Sequence, residues 1–312
     1  MPAEPTTNRG SNGNMIPPND AYQILLREAE DVTHSRTRAD IVKRGLVREL
    51  ARVLVSSGDI TTEPVMGDCV RGIEHVSVRS EEAMACIKEM CKSGADRAAL
   101  CCDIEEFCTQ SLYRKLHSGA GNRSTETKSV LAACVENAYA DAAAVSFSSY
   151  LARYGYKMSL VRCETLTAAA DAASDGDADF CIIPINNSSD GRLHNFYRML
   201  DEGDLKIAAV ADVSTGEGTT RYALAGRSFD VVRTATVFEF SVFTDAMNAA
   251  EILHSISALG HTTLYVSAFP ARMSGGLIYN FTVGLSGGFR PLLFMLDIFY
   301  PCFSLIGIYG II

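Results

Sequence analysis

From Val130 to the end of the chain, short apolar runs and helical stretches follow one another in an order that few folds can satisfy. Val130 to Val135 is an apolar run, and an Ala-rich helix follows from about Ala138 to Tyr154. Met158 to Cys163 reads as a strand, Thr165 to Ser174 as a helix, and Ala178 to Ile185 (ADFCIIPI) as a buried strand. Leu193 to Leu200 is helical, Leu205 to Val213 is a further strand, and Arg221 to Gly226 adds one more. Strand and helix alternate, which predicts a small parallel α/β sheet with right-handed crossovers. From Thr234 the order becomes strand (Val237 to Phe243), helix (Met247 to Leu259), strand (His261 to Phe269), strand (Leu277 to Leu285), helix (Arg290 to Phe299), strand (Phe303 to Tyr309). A βαββαβ series predicts the ferredoxin-like split arrangement, a four-stranded sheet with two helices on one face.

Upstream, the pattern is helical. Asn19 and Asp20 can cap a helix bearing Ile24 and Leu25. A break is expected near Thr33, His34 and Ser35. A second helix from Thr37 to about Val55 carries the stripe Val42, Leu46, Leu50, Val53 and Leu54, with Arg36, Arg38, Lys43, Arg44, Arg48 and Arg52 on its other faces. Ser57 to Val78 is less regular, and helices are expected from about Ser80 to Lys92 and Asp96 to Leu116. Ser118 to Lys128 (SGAGNRSTETK) is small and polar and reads as a linker. The expected organisation is therefore a disordered tail over 1–18, a helical domain over 19–117, a linker over 118–128, an α/β lobe over 129–232 and a βαββαβ domain over 234–312. In fold class this is a multidomain α+β and α/β chain.

Of the 312 residues, 47% are hydrophobic and 21% charged, a balance that suits packed domains. The formal net charge of −9 repels phosphate backbones, so nucleic acid is not an expected partner. An anionic ligand must be held by local donors against that field. The first residues lack the apolar core of an export signal, so a cytoplasmic location with reduced thiols is expected. Five of the ten cysteines (Cys86, Cys91, Cys101, Cys102, Cys108) fall in one helical stretch without a CxxC pair, which points to packed thiols; no metal or cofactor is expected. Pro291 to Ile312 is almost long enough to span a bilayer, but Asp297 and Pro301 interrupt it. A short helix and a buried strand account for it better than a membrane span.

The stretch Ala178 to Ile207, ADFCIIPINNSSDGRLHNFYRMLDEGDLKI, resembles the first lobe of prephenate dehydratase. That family carries a strand, then Pro-Ile-Glu-Asn-Ser-Ser/Thr-x-Gly, then a helix and a "DLKI"-type strand. Pro184, Ile185, Asn187, Ser188, Ser189 and Gly191 match, and Asn186 stands in place of the Glu. Val135 to Ala144 (VENAYADAAA) resembles the family's Gly-x-Glu-Gly-x-Tyr/Phe-Ser segment, with Cys134 and Asn137 near the places of its glycines. Thr220-Arg221-Tyr222 resembles the Thr-Arg-Phe motif. The βαββαβ tail resembles the family's ACT regulatory domain, and LIGIYG echoes its Leu-Gly-Ser-Tyr ending.

The resemblance implies the decarboxylating dehydration of prephenate to phenylpyruvate, a step of L-phenylalanine biosynthesis, with no cofactor. It implies Thr220 as the catalytic residue and Asn187, Ser188, Ser189 and Arg221 as substrate-binding residues. An Asn and Ser loop at a helix N-terminus presents side-chain and backbone donors, which suits a carboxylate. The family places a second lobe between the "DLKI" strand and the Thr-Arg-Phe motif, and here little more than Val213 to Thr219 fills that interval. An inactive ACT-containing ligand sensor is therefore an open alternative. A second is chorismate mutase activity in the helical domain, gripping chorismate through Arg44, Arg48 and Arg52. The partners implied are a small dicarboxylate, prephenate or chorismate, and a second copy of the chain through the ACT-like domain, with no membrane.

Overall fold

A single helix, α1 (Pro18–Ser57), opens the described chain and runs through the stretch where a break is expected. Thr33, His34 and Ser35 each weaken a helix by only a few tenths of a kcal/mol, and none is Gly or Pro. The Thr37 hydroxyl also donates to the Thr33 carbonyl at 2.9 Å, which keeps that turn helical. In this computed structural model residues 18–63, 70–71, 73–115, 128–187, 191–192, 194–215, 218–227, 229–230, 235–271 and 276–312 are described. Most of the expected linker and of the expected tail lie outside them, and Lys128, the linker's expected last residue, opens a strand. The chain divides into one unit ending at Leu46 and a second spanning Val47–Ile312.

Within the second unit the elements after α1 are β1 (Ile60–Glu63), β2 (Val70–Arg71), β3 (His75–Val78), α2 (Glu81–Met90) and α3 (Gly94–Lys115). Next come β4 (Lys128–Val135), α4 (Ala138–Ala152), β5 (Tyr156–Cys163), α5 (Leu166–Asp175), β6 (Phe180–Asn187), β7 (Gly191–Arg192) and α6 (His194–Glu202). β8 (Lys206–Thr215), β9 (Gly218–Gly226) and β10 (Phe229–Asp230) complete the lobe. The C-terminal module is β11 (Val237–Thr244), α7 (Ala246–Ala258), β12 (Thr262–Pro270), β13 (Leu277–Gly284), α8 (Arg290–Phe299) and β14 (Phe303–Ile311).

The lobe sheet is mixed, not wholly parallel. β4 pairs in parallel with β5 and with β6, but β9 lies antiparallel between β6 and β8. Only residues 216–217 separate β8 from β9, and a connection that short can make only an antiparallel pair. The module has the strand order β12-β13-β11-β14, as the βαββαβ series predicts. The two sheets are one: β14 pairs in parallel with β8, giving a continuous ten-stranded sheet.

Two apolar layers flank this sheet. On one face α4 packs over the lobe and α7 and α8 over the module, around Phe147, Phe238, Phe240 and Phe281. On the other, α5 and α6 close over Ile183, Phe196, Val210 and Ala223. Helix α3 packs on α7 and α8, and β3 packs on α8. This explains the apolar C-terminal segment: α8 is covered on both sides, and Pro291 to Leu296 and Ile298 are all buried. A helix buried all round must be apolar all round. Its carboxylate, Asp297, accepts from Nδ1 of His75 at 2.7 Å and from the Val76 N–H at 2.9 Å. Among the described residues no helix is long and apolar enough to cross a membrane. Within the cysteine-rich stretch Cys91 and Cys101 are buried, whereas Cys86 and Cys102 are exposed.

Candidate functional site

The register of three strands assembles the site. β6 carries Pro184, Asn186 and Asn187 out of a fully buried run, Cys181 to Ile183, and β9 returns beside it. Asn187 pairs with Thr220, Asn186 with Arg221 and Pro184 with Tyr222, after a bulge that leaves Ile185 unpaired. On its other edge β9 meets β8, where Val213 pairs with Thr220 and Asp212 with Arg221. Segments some thirty residues apart in sequence are thus neighbours. Ser188 and Ser189 lie outside the described residues, and of Asn187 and His194 only the backbone is described.

Alternation along β9 divides its side chains between two faces. Tyr222 and Leu224 belong to the layer under α4, and Ala223 and Ala225 to the layer under α5 and α6. Thr220 shares the face of Tyr222, whereas Arg221 points to the opposite one. Thr220 is half-buried. Helix α4 reaches this face, packing on β6, β8 and β9. Its N-terminus is capped by Asn137, whose side chain accepts from the Ala140 N–H at 2.7 Å. Tyr222 is buried there, which pushes its hydroxyl pKa up.

Arg221 is engaged. Its Nε and Nη2 donate to the two carboxylate oxygens of Asp212 at 2.7 and 2.8 Å, a bidentate pair. Hydrogen bonding to Asp212 holds the Arg221 charge and pushes its pKa up. The same pair lowers the Asp212 pKa, chiefly through the hydrogen bond from Arg221. A carboxylate depressed on folding adds stability above its unfolded pKa of about 4 and loses it as pH falls through the folded value. Asp212→Asn should therefore cost up to about 1 kcal/mol at pH 7, because the pair is a third exposed. Urea titrations at descending pH should show that gap shrinking below about pH 4. A gap that widens in acid would exclude this account.

A further buried group was missed by sequence reasoning. Glu239 on β11 is only 1% exposed. It accepts from the Tyr197 hydroxyl at 2.5 Å, the Tyr309 hydroxyl at 2.6 Å and the Thr282 hydroxyl at 3.2 Å. The signal was present in Val237-Phe238-Glu239-Phe240: a lone charge inside a buried strand requires partners. Asp212, polar within an otherwise apolar strand, carried a weaker signal of the same kind.

The cations proposed to grip chorismate also have partners. Arg48 donates to Asp103 at 3.0 Å and to Glu106 at 2.9 Å. Arg52 pairs with Glu49 one turn away on the same helix, both side chains exposed. Arg44 is exposed.

Residues 135–215 match the family model for prephenate dehydratase. The matched stretch runs from the last residue of β4 to the last of β8, so it contains Asn187 and ends before Thr220. No curated protein matches the chain. Among solved structures, prephenate dehydratase from Streptococcus mutans is 14% identical over 58% of this chain and 98% of its own, with a TM-score of 0.49. Prephenate dehydratase from Arthrobacter aurescens, solved with L-Phe, is 13% identical over 58% of this chain and 90% of its own, with a TM-score of 0.46. A protein described as GqqA, a novel type of quorum quenching acylase, is 18% identical over 58% of this chain and 94% of its own, with a TM-score of 0.43.

Proposed function

We propose that the chain is a prephenate dehydratase-type protein whose ligand lies at the end of β6 and β9, between the Asn187 to Ser189 loop and Thr220. The register pairing of Asn187 with Thr220 carries this reading. In the reaction, prephenate takes up one proton and yields phenylpyruvate, carbon dioxide and water. Aromatisation of the ring drives it, so the protein needs mainly to hold the two carboxylates and assist departure of the hydroxyl. Asn187, Ser188 and Ser189 supply carboxylate donors, and Thr220 donates a hydrogen bond to the leaving oxygen. Arg221 acts through its pair with Asp212, which ties β9 to β8 behind Thr220. Self-association through the ACT-like module belongs to the same proposal; β12 is an open sheet edge with Leu264 and Tyr265 exposed.

One observation favours a second reading, a ligand-sensing relative without turnover. Two residues join β8 to β9 where the family inserts a lobe, so this chain supplies one wall of the cleft. A one-walled site excludes water poorly. The deciding experiment follows phenylpyruvate from prephenate at neutral pH, against the spontaneous rate. Thr220→Ala should cut turnover by about a hundredfold or more. Turnover that survives the substitution would remove Thr220 from the chemistry. Prephenate binding without product would select the sensor.

A further inference from the structure

The geometry points to Glu239 as a positioning residue for the candidate site, acting from the C-terminal module through Tyr197 on α6. This deepens the proposed function and rests on it for its substrate arm. Glu239 belongs to β11, yet the hydroxyl that meets it most closely, at 2.5 Å, comes from the lobe. Tyr197 sits in the first turn of α6, which begins at His194, soon after the candidate carboxylate loop and β7. The carboxylate of one module thus meets the helix that follows β7 in the other.

Three features make this more than a packing contact. The carboxylate is buried, and a buried charge is tolerated only when hydrogen-bonded. Its two tyrosine contacts have the short lengths of charge-assisted hydrogen bonds, which lock donor orientation as well as distance. The third feature is direction. Tyr309 and Thr282 lie on β14 and β13, strands already paired to β11, so their bonds stay within the module. Of these three bonds, the one from Tyr197 crosses to the lobe helix. On this reading the module is a structural half of the site, not a detachable appendage.

Amide hydrogen exchange on the full chain tests this without any ligand. Tyr197→Phe and Glu239→Gln should each speed exchange of the α6 amides about tenfold while leaving those of α4 and α5 unchanged. Tyr309→Phe removes a hydroxyl from the same carboxylate but not the bond to α6, and should leave α6 protected. The double variant Tyr197→Phe with Glu239→Gln should be no worse for α6 than Glu239→Gln alone. Unchanged α6 exchange, or equal loss in Tyr309→Phe, would overturn the assignment. With prephenate, Tyr197→Phe should raise KM about tenfold with kcat little changed; a fall in kcat alone would overturn the substrate arm. If the unsubstituted protein does not turn over prephenate, the proposed function fails, and the exchange arm still decides the role of Glu239.

Discussion

Phe240→Ala should lower stability by about 3–5 kcal/mol, the range for removing a large buried aromatic. Phe240 is fully buried on β11. Its ring stacks on Phe281 at 5.0 Å between centroids and meets Phe238 edge-on at 5.7 Å. These rings form the layer on which α7 and α8 rest, and α3 rests on those helices in turn. Truncation would leave a cavity whose walls are held by a sheet on one side and two helices on the other, so it can collapse only in part. Urea unfolding provides the measurement. The midpoint should fall with little change in slope, and the lobe and module should unfold together because they share a sheet. Leu264→Ala, on the exposed edge strand, should stay within about 0.5 kcal/mol. A loss below about 1 kcal/mol for Phe240→Ala would mean this layer is not the core of the module.

Gly307→Val should be comparably damaging for the opposite reason. A Cβ added at Gly307 would lie 2.7 Å from the Cβ of Ile207 and 2.7 Å from its carbonyl oxygen. Both atoms belong to rigid parts of β8, so no flexible side-chain tip can yield. Gly307 also pairs with Ile207 across the seam that joins module to lobe. Overpacking of this kind costs about 1–3 kcal/mol, and parting β14 from β8 adds lost ladder hydrogen bonds. The melting temperature should fall, and faster amide exchange should be confined to β8 and β14. Gly287→Ala has nothing within 4 Å of the new Cβ and should be nearly neutral. A Gly307→Val protein as stable as its parent would show that the seam is not a close contact.

The seam and Glu239 bear on how the site works. In a two-lobed cleft the ligand is enclosed by the opposite lobe. Here β9 returns at once after β8, and the C-terminal module is joined edge to edge to the lobe. That joint brings a carboxylate of the module, itself held by two of the module's hydroxyls, to helix α6 of the lobe. The rigidity that a second lobe would supply comes, on this proposal, from the module.

Much of the element order was legible in the sequence because periodicity is a local property. The strands at Ala178 to Ile185 and Val237 to Phe243, and the helix at Arg290 to Phe299, follow from apolar spacing and length alone. The resemblance to prephenate dehydratase, read from Pro184, Asn187 and Gly191, coincides with the matched span 135–215. The predicted break at Thr33 to Ser35 did not hold, because weak helix formers lower stability without interrupting the hydrogen-bond ladder. The wholly parallel lobe did not hold either, because pairing direction depends on the space a connection must cross.

What the sequence determined by itself was which segments are strands and helices, and which of them carry family-like motifs. The tertiary structure alone decided that Asn187 and Thr220 share a register, that Arg221 faces away from Thr220 towards Asp212, and that Glu239 reaches Tyr197. Periodicity assigns a residue to one face of its own element. Which groups meet across elements is settled by strand order and register, and those depend on packing between residues far apart in the chain.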